Sequence, residues 1–335
     1  MKKENRKPEN INIWKDGIIG VLIGDALGCP VQFRSRKEIA ARPVTTMIGH
    51  GTYDMPVGTW TDDGSMTMAT FASILDNNGI NAADVMDRFV LWLTKGEYTP
   101  FGEAFDNGRG TTEAIFRYLK DRDIETCGGR EVYDNGNGSL MRIMPVCLYC
   151  YEQQKAGRMT DEEAISAIHQ ISGLTHNHMR AKAACGLYYF MVRAILRGKQ
   201  AGDIADGKSL TELLQKGIDE GFAFYKQERQ SEIALSHYGR LRDLHDFRNQ
   251  PSSAIRSSGY VVDTIEAAVW CLTGTDSFRD ALLTAVNLGD DTDTVGAVCG
   301  GLAGLFYGYE NIPEEWLAVL RKRDWIESLC AKELG

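Results

Sequence analysis

Residues 293–308 read DTVGAVCGGLAGLFYG, with apolar side chains at three- and four-residue spacing and glycines at 296, 300, 304 and 308. That spacing is a helix period. Each glycine costs about 1 kcal/mol against alanine in a helix interior, so a stripe of them calls for a packing reason. Residues 17–28, GIIGVLIGDALG, repeat the texture with Gly20, Gly24 and Gly28. Small residues along one face let helix backbones approach closely, and such packing would hold the two ends of the chain together.

Outward from these two segments the same periodicity continues. Helices are expected over 11–28, 63–76, 82–94, 111–120, 139–155, 161–172, 178–197, 209–225, 260–273, 277–287, 293–308 and 314–321, with a short strand-like piece around Thr45 to Ile48. The fold class is all-α. Linkers are compact and marked by Asn77-Asn78-Gly79, Gly128-Gly129, Asp134 to Gly138 and Gly198 to Gly207. No repeat or low-complexity stretch divides the chain, so residues 11–335 are expected to form one domain behind a disordered tail at 1–10.

Composition narrows the function. The 335 residues carry a formal charge of −9 with 43% apolar residues, which supplies a core but no field that draws the molecule to nucleic acid or an anionic membrane. A polyanionic substrate would need local help from a metal or backbone amides. The basic start before Gly17 to Gly24 does not read as a signal peptide, because the run is late, short and meets Asp25. No stretch reaches the ~18 apolar residues of a membrane span. The eight cysteines lie mostly in apolar segments and read as reduced, buried thiols of a cytoplasmic protein. A monomer is expected.

Two acidic clusters carry the chemistry. Thr61-Asp62-Asp63 and Asp290-Asp291-Thr292-Asp293-Thr294 each open a helix. Capping explains part of this, since such residues accept hydrogen bonds from the first turn. The second cluster offers more acceptor oxygens than one helix start uses. Carboxylates alternating with hydroxyls, without Cys or His, suit Mg²⁺, Mn²⁺ or Ca²⁺ better than zinc. If both clusters converge, two ions about 3.5–4 Å apart would accept bridging carboxylates.

Five ordered motifs extend this reading: Gly24-Asp25-Ala26-Leu27-Gly28 with Pro30-Val31-Gln32-Phe33, Gly58-Thr59-Trp60-Thr61-Asp62-Asp63-Gly64-Ser65-Met66-Thr67, Gly136-Asn137-Gly138-Ser139-Leu140-Met141-Arg142, Leu174-Thr175-His176-Asn177-His178, and Asn287 to Gly296. Between about residues 11 and 308 the chain resembles the ADP-ribosylglycohydrolases. The resemblance implies an all-helical fold with a central cleft and two Mg²⁺ or Mn²⁺ ions on Thr61, Asp62, Asp63, Asp291, Asp293 and Thr294, with Asp290 in support. It implies hydrolysis of the glycosidic bond between ADP-ribose and a protein side chain, with arginine as the leaning, and an ADP-ribosylated protein or other ADP-ribose-containing molecule as partner. Asp62, Asp63 and Asp291 would position and activate water.

Substrate contacts are expected at Gln32 and Phe33, at the glycine-flanked helix start Gly108, Arg109, Gly110 and Thr111 for phosphate, and at Asn137, Gly138, Ser139 and Met141, where Gly136 to Ser139 would open a helix. His176 and Tyr260 complete the set, Tyr260 as a stacking partner for a base. The family commonly has glutamate where this chain has Gln32, which cannot take a proton at neutral pH. Gly64-Ser65 replaces a Thr-Glu pair found in several members. Competing readings are another ADP-ribose linkage (serine, nucleic acid or small molecule), a non-catalytic ADP-ribose-binding or structural relative, and a metal phosphoesterase that would release AMP.

Overall fold

A computed structural model describes residues 12–204, 209–227 and 229–332; the tail expected at 1–10 lies outside them. Sixteen α-helices occur among the described residues. In chain order they are α1 (Ile13–Gly28), α2 (Arg36–Ala41), α3 (Asp62–Asn77), α4 (Ala82–Lys95), α5 (Arg109–Asp121), α6 (Met144–Lys155), α7 (Asp161–Gly173), α8 (Met179–Ala201), α9 (Leu210–Tyr225), α10 (Arg229–Leu235), α11 (Leu244–Phe247), α12 (Val261–Thr273), α13 (Phe278–Val286), α14 (Thr292–Tyr307), α15 (Glu314–Leu317) and α16 (Arg323–Cys330).

The frame is built on α1 and α14, the two glycine-striped segments, which pack antiparallel. A methyl group on Gly20 would sit 2.2 Å from the Gly300 carbonyl oxygen, one on Gly24 1.9 Å from that of Gly296, and one on Gly304 2.1 Å from that of Asp16. Backbone touches backbone along the stripe, which only glycine permits. Gly308 departs from this pattern: it ends α14 at φ +84, where a methyl group would meet only Lys199 Nζ, at 3.8 Å. Both helices are apolar around their circumference and buried nearly throughout, as a central helix pair must be. Helices α3, α6, α8, α12 and α13 pack around the pair, so one contiguous core joins the two ends of the chain.

Most of the expected helices form within a few residues. The segment 139–155 does not form one helix: a 3₁₀ turn at Leu140–Arg142 precedes α6, and Pro145 in the first turn of α6 fits there because it needs no amide partner. The stretch 314–321 stops at Leu317, and α16 follows. Helix α8 runs through Gly198 to Ala201, residues expected as linker, and closes on Gly202 at φ +81. No strand forms around Thr45 to Ile48. Among the described residues the only β pairings are isolated bridges, Gly129 with His176 and Gly136 with Tyr260. All eight cysteines are buried and free, and no described helix is long and apolar enough to cross a membrane.

Candidate active site

The glycine contact between α1 and α14 brings the two acidic clusters together. The Thr292 hydroxyl donates to the Gly28 carbonyl at 2.8 Å, seating the start of α14 against the end of α1. One turn earlier, the buried Asp25 carboxylate accepts from the Thr61 amide at 3.0 Å and the Gly64 amide at 2.7 Å. Asp25 therefore caps α3 from another helix. Thr61 and Asp291 occupy the N-cap positions of α3 and α14, yet neither side chain makes a cap hydrogen bond. Capping does not account for either cluster; both turn inward.

They meet across some 230 residues of sequence. The Thr61 hydroxyl lies 3.3 Å from Asp63 Oδ2 and 3.4 Å from Asp293 Oδ2, and the Thr294 hydroxyl lies 3.4 Å from Asp63 Oδ2. These separations exceed the ~2.7–2.8 Å of a good O–H···O bond, so the oxygens face one another without satisfying one another. Asp291 is held more firmly, by the Asn137 amide at 2.6 Å, with the Gln32 amide standing off at 3.5 Å. Asn137 is in turn fixed on the Thr264 hydroxyl at 2.9 Å.

Above this floor opens a cavity of about 250 Å³. Its lining includes Asp62, Asp291 and Thr294 and, of the expected contacts, Gln32, Phe33, Gly108, Arg109, Gly110, Thr111, Asn137, Gly138, Met141 and His176. Thr61, Asp63 and Asp293 lie beneath, fully buried. Ser139 and Tyr260 are not brought to the cavity. The Ser139 hydroxyl accepts from Ser172 at 2.9 Å inside the core, while the Tyr260 ring faces the Arg180 guanidinium at 5.7 Å. Gly136 and Gly259 line the wall near them instead.

Three glycines make room for His176. A methyl group on Gly138 would meet the imidazole at 2.7 Å, and those on Gly110 and Gly136 would lie 3.3 Å from Nε2. The ring is neutral, because burial and the nearby Arg142 push its pKa down to about 3. At the α5 start no side chain caps the first turn, and the first turn of any helix leaves its amides without intrahelical partners. On the far rim, Phe33 is exposed and sits at φ +65, an unusual conformation for a bulky residue. It is held by Phe33 N donating to Asp290 O at 2.7 Å and Asp290 N to Arg34 O at 2.8 Å. Asp290 thus acts through its backbone, joining the Gln32 segment to Asp291, while its carboxylate stands on the rim.

The electrostatics are one-sided. Burial, followed by neighbouring carboxylates, pushes Asp62, Asp63 and Asp293 far above the usual range. Burial also raises Asp291 and takes Asp25 to about 7, against the pull of their amide partners. None of the described ion pairs involves these five acids. The buried Arg142 donates to Gly138 O, Ile171 O and Thr175 Oγ1, not to these acids, and its Nη1 has no acceptor among the described residues. Protons or a bound cation must neutralise such a group.

A hard divalent cation fits the donors present. Asp63 Oδ1, Gln32 Oε1 and Asp106 Oδ2 are buried acceptors without a hydrogen-bond donor among the described residues, and such atoms are costly to leave unpaired. Among the described residues no Cys lines the cavity, and His176 is the one histidine in its lining. Equally, no three acidic, His or Cys side chains among the described residues close into a ready ligand cage; threonine hydroxyls stand between the acids.

Two acids in this setting were not expected from the sequence. Asp25 had a signal, a carboxylate interrupting the apolar run of α1. Asp106, on the cavity wall and accepting from the Tyr53 hydroxyl at 2.5 Å, had only its place before Asn107-Gly108.

An all-helical frame around an acid-floored cavity, with glycine-flanked amides at its edge, suits a hydrolase that cuts glycosidic bonds. The chain belongs to the ADP-ribosylglycohydrolase family, whose model matches residues 10–335. It is 30% identical over 322 residues to the ADP-ribosylarginine hydrolase Tri1 of Serratia proteamaculans, covering 96% of this chain and 79% of that one. It is 30% identical over 304 residues to the ADP-ribosyl-[dinitrogen reductase] glycohydrolase of Rhodospirillum rubrum, covering 90% and 88%. A solved structure described as an ADP-ribosylglycohydrolase-related protein complex superposes with a TM-score of 0.73 at 28% identity, over 95% of this chain and 96% of that one.

Proposed function

We propose that this protein removes ADP-ribose from arginine side chains of modified proteins, with Mg²⁺ or Mn²⁺ bound in the acid floor. The observation that carries the reading is the convergence of two helix starts whose acids and hydroxyls face one another unsatisfied under a cavity. The arginine linkage is supported by the names of the relatives from Serratia proteamaculans and Rhodospirillum rubrum.

Thr61, Asp62, Asp63, Asp291, Asp293 and Thr294 would hold two ions. Bound there, a hard cation supplies charge neutralisation and a grip on ribose hydroxyls. The remaining work falls to the chain. The α5 start from Gly108 to Thr111 offers amides to the pyrophosphate, and neutral His176 offers Nε2 to the same ligand. Asn137 fixes the Asp291 carboxylate so that one oxygen keeps its direction. Bond cleavage leaves positive charge on C1 of the ribose, which the surrounding carboxylates stabilise. Of the three acids expected to activate water, Asp62 and Asp291 line the cavity and would accept its proton, whereas Asp63, buried beneath, would serve as a ligand. Gln32 orients Asp291 through its amide and takes no proton.

The test is product identity with arginine-linked and serine-linked substrates, with and without chelator. Release of intact ADP-ribose from the arginine substrate, abolished by chelator and restored by Mg²⁺ or Mn²⁺, is expected. AMP release, chelator-insensitive turnover or preference for serine would each overturn its part of the proposal. Gln32→Glu is expected to leave activity unchanged or raise it.

A further inference from the structure

Where the chain continues from His176 into Asn177 and His178, these next residues line a larger cavity, about 610 Å³. Its polar lining is cationic: Arg130, Arg180 and Lys182, with His178 and His237, against the single acid Glu125. In a chain of net charge −9, such a concentration of one sign needs a counter-charge. Among the described residues only part of it is supplied, by Glu125 acting on Lys182. Among the described residues Lys182 has neither an ion pair nor a hydrogen-bond partner, although burial and the neighbouring Arg130 pull its pKa down. Arg130 donates to a backbone carbonyl of Glu125, and Arg180 to the His237 ring at 2.8 Å. Arg180 Nε is buried with no acceptor. Glu131 and Asp134 lie near enough to influence His178, but Asp134 already accepts from the Glu131 amide at 2.8 Å.

We infer that this cavity is a second binding site, for a phosphate-bearing small molecule of nucleotide size. Three cations with unspent donors match a multiply charged oxyanion, for which guanidinium forks are suited. The volume falls within the ~300–1,000 Å³ of small-molecule sites, and Met179 with the exposed Ile233 gives an apolar wall for a ring. It shares no lining residue with the acid-floored cleft, and the inference does not depend on the reaction there.

Calorimetry on the full chain, with the cleft first saturated by ADP-ribose, tests this with AMP, adenosine and inorganic phosphate as probes. AMP is expected to bind one further equivalent, several-fold more weakly when salt is raised from 50 to 200 mM, with adenosine at least ten-fold weaker than AMP. Phosphate binding as tightly as AMP would place the affinity in the anion alone and overturn the nucleotide size. Lys182→Met and the exposed Arg130→Met should each weaken AMP about ten-fold without changing ADP-ribose affinity. No further equivalent, displacement of ADP-ribose by AMP, adenosine binding equal to AMP, or unchanged AMP affinity in a correctly melting Arg130→Met would overturn the inference.

Discussion

Gly24→Ala tests whether the site depends on the close approach of α1 and α14. Helix propensity alone favours the change by about 1 kcal/mol. Against it, the new methyl carbon would stand 1.9 Å from Gly296 O, 2.3 Å from Gly296 C and 2.9 Å from Ala297 N. These are backbone atoms, so no rotamer relieves the clash. Reaching an ordinary contact of roughly 3.5 Å moves the helices apart by roughly 1.5 Å. Overpacking of this kind costs ~1–3 kcal/mol, and rigid backbone puts this case at the upper end. The net expectation is a loss of about 2 kcal/mol. Asp291, Asp293 and Thr294 ride on α14 within five residues of the contact, and Asp25 is the next residue on α1. A shift of ~1 Å in such a constellation costs about 10²-fold in rate. Thermal melting and ADP-ribose release, measured together, check both effects. A raised melting temperature with full activity would refute the reasoning, because propensity would then have outweighed the contact.

Other predictions follow from the same geometry. Asp25→Leu removes the acceptor of the Thr61 and Gly64 amides and should cost about 2–3 kcal/mol in denaturant unfolding, as lost hydrogen bonds to a buried charged group do. Asn137→Leu releases Asp291 and should reduce kcat at least ten-fold, whereas Ser139→Ala should lower the melting temperature slightly and leave ADP-ribose affinity unchanged. Asp25 is raised from its ordinary 3.8 to about 7, so its contribution to cation-free stability is full below pH 3.8 and fades as pH rises through 7. His169 and His176, lowered from 6.5 to about 3, act oppositely and lose stability as pH falls below 6.5. The melting-temperature gain on adding Mg²⁺ or Mn²⁺ isolates the acids and should grow from pH 5 to pH 8, as protons cease to compete; a gain that is constant with pH counts against cation binding at these carboxylates.

What the sequence determined by itself is the helical frame and the two reactive helix starts. Apolar periodicity is local, and long helices such as α8 and α14 announce themselves through it. Short helices such as α2 and α11, with six and four residues, carry too few turns to show a period. The break between the 3₁₀ turn at Leu140–Arg142 and α6 was hidden because Leu140, Met141, Ile143 and Met144 keep the segment mostly apolar across it. Glycine spacing marked α1 and α14 as close-packing helices, but not that Gly24 meets Gly296. Only the tertiary structure decided that. It also decided that Asp25 caps α3 from a distance, which frees Thr61 and its neighbours from capping, and that Asp106 joins the wall while Ser139 and Tyr260 turn away. Those outcomes depend on contacts between residues far apart in the chain, and no local pattern of residue types encodes which carboxylate will lie beside which.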